Sequence, residues 1–188
     1  YQYPIYYLGN HLNFVSDGDT VAIPAYTQAL DYELEIGVVI CKPLKNASED
    51  EAKQAIGGFV VFNDFSARDV QRDEMQSGFG PMKAKNVVNA ISNVVVTADE
   101  ILPIIDTLTV TVTINGKEIV RNTSAGMHFS IPQAIAYASW EAQPYPGEFF
   151  GSGTIPLCTG MANGVFLHSN DSILLEIEGI GSLYNKVE

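Results

Sequence analysis

Eight short runs rich in Val, Ile, Thr, Tyr and Phe punctuate this chain: PIYYL, TVAIP, EIGVVI, GFVVFN, NVVVT, LTVTVTING, GVFLHS and SILLEIEGIGSLYN. Such residues suit a pleated, half-buried surface, and turn residues bound each run, so strands must carry most of the core. Asn115-Gly116, between TVTVTI and KEIVRN, marks a two-residue hairpin, and Asp17-Gly18 is a weaker turn signal. Helical patterns are fewer. Residues 48–56 (SEDEAKQAI) place Ser48 at an N-cap with acids in the first turn. Residues 66–75 (SARDVQRDEM) and 132–139 (PQAIAYAS) are two further short helices, the last with Pro in its first turn. The strands neither alternate with helices nor recur at sandwich spacing. The expected class is therefore α+β, rich in β and mixed, with a few short helices. At 188 residues, with 46% hydrophobic and 17% charged residues, one core and a single domain over 1–188 are expected.

Within DYELEIGVVI, side chains alternate across the strand, so Asp31, Glu33 and Glu35 share one face and Tyr32, Leu34 and Ile36 the other. Acids two apart lie roughly 6 to 7 Å from each other and repel unless something neutralises them. A hard divalent cation would do so, since oxygen-rich carboxylate sites suit Mg²⁺, Ca²⁺ or Mn²⁺. Solvation explains such a face equally well in a chain with 22 acidic and 10 basic residues, and spacing alone leaves both readings open.

The net charge of −12 argues against nucleic acid and anionic membrane as partners, because both require basic patches. No apolar stretch approaches the roughly 20 residues of a membrane span. Cys41 and Cys158 form no disulfide framework and match no zinc spacing; they read as core residues in a reducing, cytoplasmic setting. The start, YQYPIYYLGN, lacks an initiator Met and reads as truncated, so a targeting peptide upstream stays compatible with the sequence.

The run GGFVVFNDFSARDVQ reads as a buried strand ending in polar residues, and Asp64 at that edge is either a third oxygen ligand or a turn and capping acid. Ser66 and Asp69 are spaced like a capping pair, which gives Ser66 a capping role. Arg68 and Gln71, three apart, share a helix face, where Arg68 pairs with a carboxylate of the protein or of a substrate. Lys83 and Lys85 sit two apart in GFGPMKAKN, a loop suited to an anion, and the two-glycine stretch within residues 73–82 is hinge-like. Gly151 and Gly153 flank Ser152 ahead of Thr154, but this is no nucleophile elbow. His11, His128 and His168 form no triad and read as ordinary polar or core residues.

Taken together and in order, DYELEIGVVI, GFVVFNDFSARDVQRDEM, GPMKAKN with VVVTADEI, SAGMHFS and PGEFFGSGT resemble the fumarylacetoacetate hydrolase family over nearly the whole chain. The resemblance implies a rolled, β-rich sheet, homodimers, and a divalent cation, Mg²⁺ first with Mn²⁺ or Ca²⁺ as alternatives, held by Glu33, Glu35 and Asp64. It makes Lys85 the active-site lysine and puts Arg68, Gln71 and Thr154 where relatives hold substrate, with Lys83 on the same loop as an anion contact. Family reactions act on dicarbonyl acids, by hydrolysis, decarboxylation, hydration or isomerisation. Ala84 stands where Gly usually precedes the lysine, and Asn86 where many relatives carry Asp or Ser. Relatives also carry an N-terminal segment whose His handles water or a proton, and this chain begins after it.

The expected function is divalent-metal-dependent cleavage or decarboxylation of a 1,3-dicarbonyl acid, an acylpyruvate or a fumarylacetoacetate-like acid, through a metal-stabilised enolate. Isomerase or hydratase action on a related unsaturated 2-oxo acid, or a catalytically silent metal-binding dimerisation module, are the alternatives.

Overall fold

The computed structural model describes residues 2–188. An arm without regular structure, residues 2–13, leads into β1 (Phe14–Ser16), β2 (Thr20–Val21), β3 (Leu30–Asp31) and β4 (Leu34–Ile40). Helix α1 (Glu49–Ala55) is followed by β5 (Ile56–Asp64), β6 (Ser66–Ala67), α2 (Arg68–Gln76), β7 (Asn89–Ile91) and β8 (Val96–Thr97). Then come α3 (Ala98–Ile101) with a 3-10 turn, the hairpin of β9 (Thr109–Ile114) and β10 (Lys117–Thr123), and α4 (Ile131–Ala138). Strand β11 (Phe149–Gly151), α5 (Gly160–Asn163), β12 (Ser172–Ile177) and β13 (Gly181–Val187) complete the chain.

Two main sheets form. One runs β1-β7-β5-β4-β11, with β8 also on β5; the other runs β10-β9-β12-β13-β2; and β3 pairs with β6 alone. Both sheets are mixed, because β1–β7 and β13–β2 are parallel among otherwise antiparallel pairs. This is the mixed, strand-rich α+β architecture expected. Strands β12 and β13 pack on β5, and one apolar cluster spans both sheets from Leu34 and Phe59 to Val110 and Ile173. Among the described residues, no helix is long and apolar enough to cross a membrane.

Local chemistry accounts for the elements that were anticipated. Ser48 accepts the Glu51 N–H while the Glu51 carboxylate takes the Ser48 N–H, and Ser130 and Gln133 do the same for α4. Ile114 pairs with Lys117 across Asn115 and Gly116, whose φ values of 52° and 75° are the left-handed pair that a primed hairpin turn needs.

Four expectations are corrected. Residues 4–8 form no strand, because PIYYL runs along the surface without a ladder partner. Residues 164–169 contribute one bridge, Leu167 to Leu30, and Gly164 serves as the left-handed cap of α5 instead. DYELEIGVVI is two strands broken at Tyr32–Glu33, where Glu33 bridges to Thr159. Ser66 does not cap α2: Ala67 occupies that position, and Ser66 lies fully buried in β6.

Candidate active site

Adjacent antiparallel strands set the spacing of the acids. Leu34 pairs with Asn63 and Glu35 with Phe62, while the Asp64 N–H donates to the Glu33 carbonyl at 3.1 Å. This register brings Glu33, Glu35 and Asp64 together, each offering a carboxylate oxygen within 4.8 Å of the others. All three are buried, so their face of the strand is not solvated.

Two cations enter from the segment that follows β5. Arg68, at the start of α2, sets Nε 2.7 Å from Asp31 Oδ2 and Nη1 2.7 Å from Glu33 Oε1, and Nη1 also donates to Gln71 Oε1. Lys85, buried in the loop between α2 and β7, places Nζ 2.8 Å from both Glu33 Oε2 and Asp64 Oδ2. It also donates to Ser66 Oγ at 2.6 Å. The Ser66 side chain thus steadies the lysine, a role that its spacing from Asp69 concealed. Asp69 instead receives the Thr27 hydroxyl and the Gln28 N–H.

Asp31 leaves the trio. It is fully buried and accepts N–H groups from Tyr32, Gly160 and Met161 as well as Arg68. No Cβ would fit at Gly160, whose place lies against Asp31 Oδ1 and the Val165 carbonyl. The α5 start is therefore built around this one carboxylate.

Burial drives the Glu35 carboxyl well above its ordinary value, and Asp64 and Glu33 push it further. Burial likewise raises Asp64, with Lys85 only partly offsetting it. Glu33 is pushed up by burial too, but Lys85 and Arg68 outweigh that and leave it below the usual range. The ammonium of Lys85 is disfavoured by burial, yet Asp64 and Glu33 hold it above its ordinary value. Four buried carboxylates, Asp31, Glu33, Glu35 and Asp64, face two cations, Lys85 and Arg68. The formal deficit is two positive charges. Asp64 Oδ1 is buried without a partner, and the donor set is all oxygen. These residues fit a hard divalent cation.

The remaining anticipated residues sit around this centre. Thr154, half-buried beyond β11, gives Glu33 a hydrogen bond that helps lower it, and the Gly153 N–H donates to Glu35 Oε2 at 3.0 Å. Lys83 is exposed and does not join the acids; its Nζ lies 4.5 Å above the Tyr26 ring. It does line a groove of about 400 Å³ with Tyr7, Leu8, Gly9, Asn10, Met82, Lys85 and Asn86. Glu74, near the end of α2, accepts the N–H groups of Met82, Lys83 and Ala84 and so fixes the start of the lysine loop. Gly78 and Gly80 bend that loop with φ of 83° and 86°. Of the cysteines, Cys41 is exposed, against expectation, because it stands just past the end of β4; Cys158 is buried, which lifts its thiol to about 11.

Residues 1–188 match the family model described as fumarylacetoacetate (FAA) hydrolase, C-terminal. The chain belongs to the fumarylacetoacetate hydrolase family. It is 34% identical over 182 residues to a fumarylacetoacetate hydrolase domain-containing protein 2 homolog of Dictyostelium discoideum, a match covering 90% of this chain and 59% of that protein. This fumarylacetoacetate hydrolase domain therefore spans about three fifths of that relative. It is 30% identical over 186 residues to the mitochondrial oxaloacetate tautomerase FAHD1 of Homo sapiens, covering 98% of this chain and 81% of the other. The fold matches 5-carboxymethyl-2-hydroxymuconate delta-isomerase from Mycobacterium smegmatis with a TM-score of 0.84 at 25% identity, over 98% of this chain and 70% of that one. Family members thus include enzymes of more than one reaction class.

Tyr7 is the site residue that sequence reasoning missed. Its hydroxyl donates to Asp64 Oδ2 at 2.7 Å, and burial followed by the Asp64 charge raises its pKa, keeping it protonated. PIYYL offered no sign of this, because consecutive tyrosines in an apolar run look like any strand.

Proposed function

We propose that this chain is the catalytic domain of a divalent-metal-dependent enzyme that takes a 1,3-dicarbonyl acid, an acylpyruvate or an oxaloacetate-like compound, through an enolate, cleaving or decarboxylating it. The observation that carries this reading is the buried cluster of Glu33, Glu35 and Asp64, which together with Asp31 sets four acids against two fixed cations, Lys85 and Arg68. Mg²⁺ is the first candidate for this all-oxygen set, with Mn²⁺ or Ca²⁺ next. When bound, the ion supplies Lewis-acid polarisation of a 2-oxo carbonyl and charge stabilisation worth several kcal/mol.

The protein's own groups account for the rest. Lys85 is held charged between Glu33 and Asp64 and faces the groove, so its ammonium can meet the oxygen on which negative charge develops. Arg68, fixed by Asp31 and Gln71, keeps Glu33 ionised, and its Nη2 is buried without a protein partner. Gln71 orients that guanidinium, Thr154 borders Glu33, and Lys83 offers a second cation at the rim. A small oxo acid is the partner this implies, in a homodimer of the family kind.

One observation favours isomerase or tautomerase chemistry as a second reading. The groove is lined by Tyr7 and Lys85, two groups that carry a proton, and moving a proton between carbon and oxygen needs no attacking water. Titration with Mn²⁺ and Mg²⁺, followed by assays on an acylpyruvate and on oxaloacetate, tests both. Metal binding with C–C cleavage or CO₂ release supports the first reading; keto–enol exchange alone supports the second. Metal binding without turnover of either compound points to a silent module, and no metal binding ends the proposal.

A further inference from the structure

On either side of Tyr7, Tyr6 and Leu8 are turned outward at 55% and 90% exposure. Tyr7 alone of the three reaches inward. Its hydroxyl and the Lys85 ammonium converge on the same oxygen, Asp64 Oδ2, at 2.7 and 2.8 Å. The two groups also line the same groove. Neither position is left to a loose loop. The arm carrying Tyr7 and the loop carrying Lys85 are joined at Asn86, whose Oδ1 accepts from Asn10 Nδ2 at 3.1 Å and from Asn13 Nδ2 at 3.0 Å. The Asn13 side chain also donates to the Val87 carbonyl, and the Asn89 N–H donates to the Asn13 carbonyl. An asparagine at position 86 thus acts as the clasp between the two walls, which an acid there would do differently, since it would accept from both amides but add negative charge beside Lys85.

We infer that Tyr7 is a further catalytic residue of this site: its single hydroxyl hydrogen, given to Asp64 Oδ2 while no substrate is bound, turns to the substrate oxygen that carries the enolate charge and donates to it beside Lys85. This rests on the proposed enolate chemistry. The geometry carries it, because Tyr7 and Lys85 line one groove and converge as donors on one point, occupied here by the carboxylate oxygen Asp64 Oδ2. A phenol that donates without carrying charge of its own adds stabilisation there without raising the positive charge of the site. Asp64 keeps its other oxygen, Oδ1, free of both donors.

Tyr7→Phe tests this, since it keeps the ring and deletes only the donor. Wild type and variant are loaded with Mn²⁺ in a calorimeter and then titrated with oxalate, a planar dianion resembling the enolate of a 2-oxo acid. The expected result is Mn²⁺ affinity within about twofold of wild type and oxalate affinity about tenfold or more weaker, the loss of one hydrogen bond to a charged oxygen. Tyr6→Phe, on the outward side of the arm, should bind both like wild type. Oxalate binding as tight in Tyr7→Phe as in wild type overturns the inference. So does weakened Mn²⁺ binding with unchanged oxalate affinity of the loaded protein, which would make Tyr7 a prop for Asp64. If wild type itself takes up no Mn²⁺, the proposed function fails and this inference with it.

Discussion

Arg68 Nε lies 2.7 Å from Asp31 Oδ2, and that contact separates Asp31 from the two glutamates that follow it on the same segment. Glu33 and Glu35 remain for the centre while Asp31 becomes the anchor of the guanidinium that serves it. Removing Asp31 takes the acceptor from Arg68 Nε, leaving the guanidinium to Glu33 and Gln71, and from three buried or part-buried backbone N–H groups. Asp31→Ala should therefore destabilise the fold by about 3 to 5 kcal/mol. Urea unfolding monitored by circular dichroism measures this, and a loss below about 1 kcal/mol would contradict the anchoring role.

Lys85→Met removes the ammonium between Glu33 and Asp64. Turnover should fall on the order of 100-fold or more, the scale seen when one charge-stabilising donor is lost. Mn²⁺ binding should survive, because the variant leaves the acids less neutralised. Steady-state rates and a metal titration on the same preparation separate the two effects, and equal loss of both would refute the assignment of Lys85.

Replacing Glu33 and Glu35 together by Ala leaves Asp64 as the sole member of the cluster. The double variant should lose the stabilisation that saturating metal gives wild type, about 2.7 kcal/mol at a hundredfold excess over Kd. Melting curves with and without Mg²⁺ show this as a shift present in wild type and absent in the variant. An equal shift in both would end the metal assignment.

A Cβ added at Gly151 would stand 2.5 Å from Glu35 Oε2 and 2.8 Å from the Phe62 ring. Neither neighbour has room to retreat, as both Glu35 and Phe62 are buried. Gly151→Ala should displace the Glu35 carboxylate and weaken metal binding by about tenfold or more, as changes around a ligand commonly do. Calorimetry with Mn²⁺ reads the affinity, and wild-type binding in this variant would show that Glu35 is not a ligand.

Burial is the largest single influence on the Glu74 carboxyl and raises it, but the N–H groups of Ala84, Lys83 and Met82, with the Lys83 charge, together outweigh it and hold its pKa below the ordinary glutamate value. A lowered folded-state pKa gives stability that is present above the unfolded value and lost as pH falls through the folded one. Amide exchange at Met82, Lys83 and Ala84 should therefore be slow at neutral pH and gain an opening component on acidification below the ordinary glutamate range. Glu74→Gln should exchange faster at neutral pH and lose that pH dependence. Identical profiles in both proteins would remove Glu74 as the clamp of the lysine loop.

The parts legible in the sequence are those whose chemistry is local. Ser48 at the head of α1, Pro132 in the first turn of α4 and Asn115-Gly116 between β9 and β10 each act within a few residues, and each element formed close to where its signal stood. The acids were visible as a pattern, and the family resemblance named Glu33, Glu35, Asp64 and Lys85 as one group, which the structure brings together. What stayed hidden depends on contacts between distant segments. Ser66 looked like a cap because the lysine that engages it lies 19 residues on. PIYYL looked like a strand because alternation cannot say whether a ladder partner exists. Tyr7 meets an acid 57 residues away, a pairing that no spacing rule encodes.

The register of β4 on β5, with Leu34 opposite Asn63 and Glu35 opposite Phe62, is what assembles the three acids. A slip of one residue would send Asp64 to the opposite face and scatter the cluster. A bound ion would then serve as a proofreader of strand pairing during refolding, retaining only those chains in which these two strands have met in the right frame.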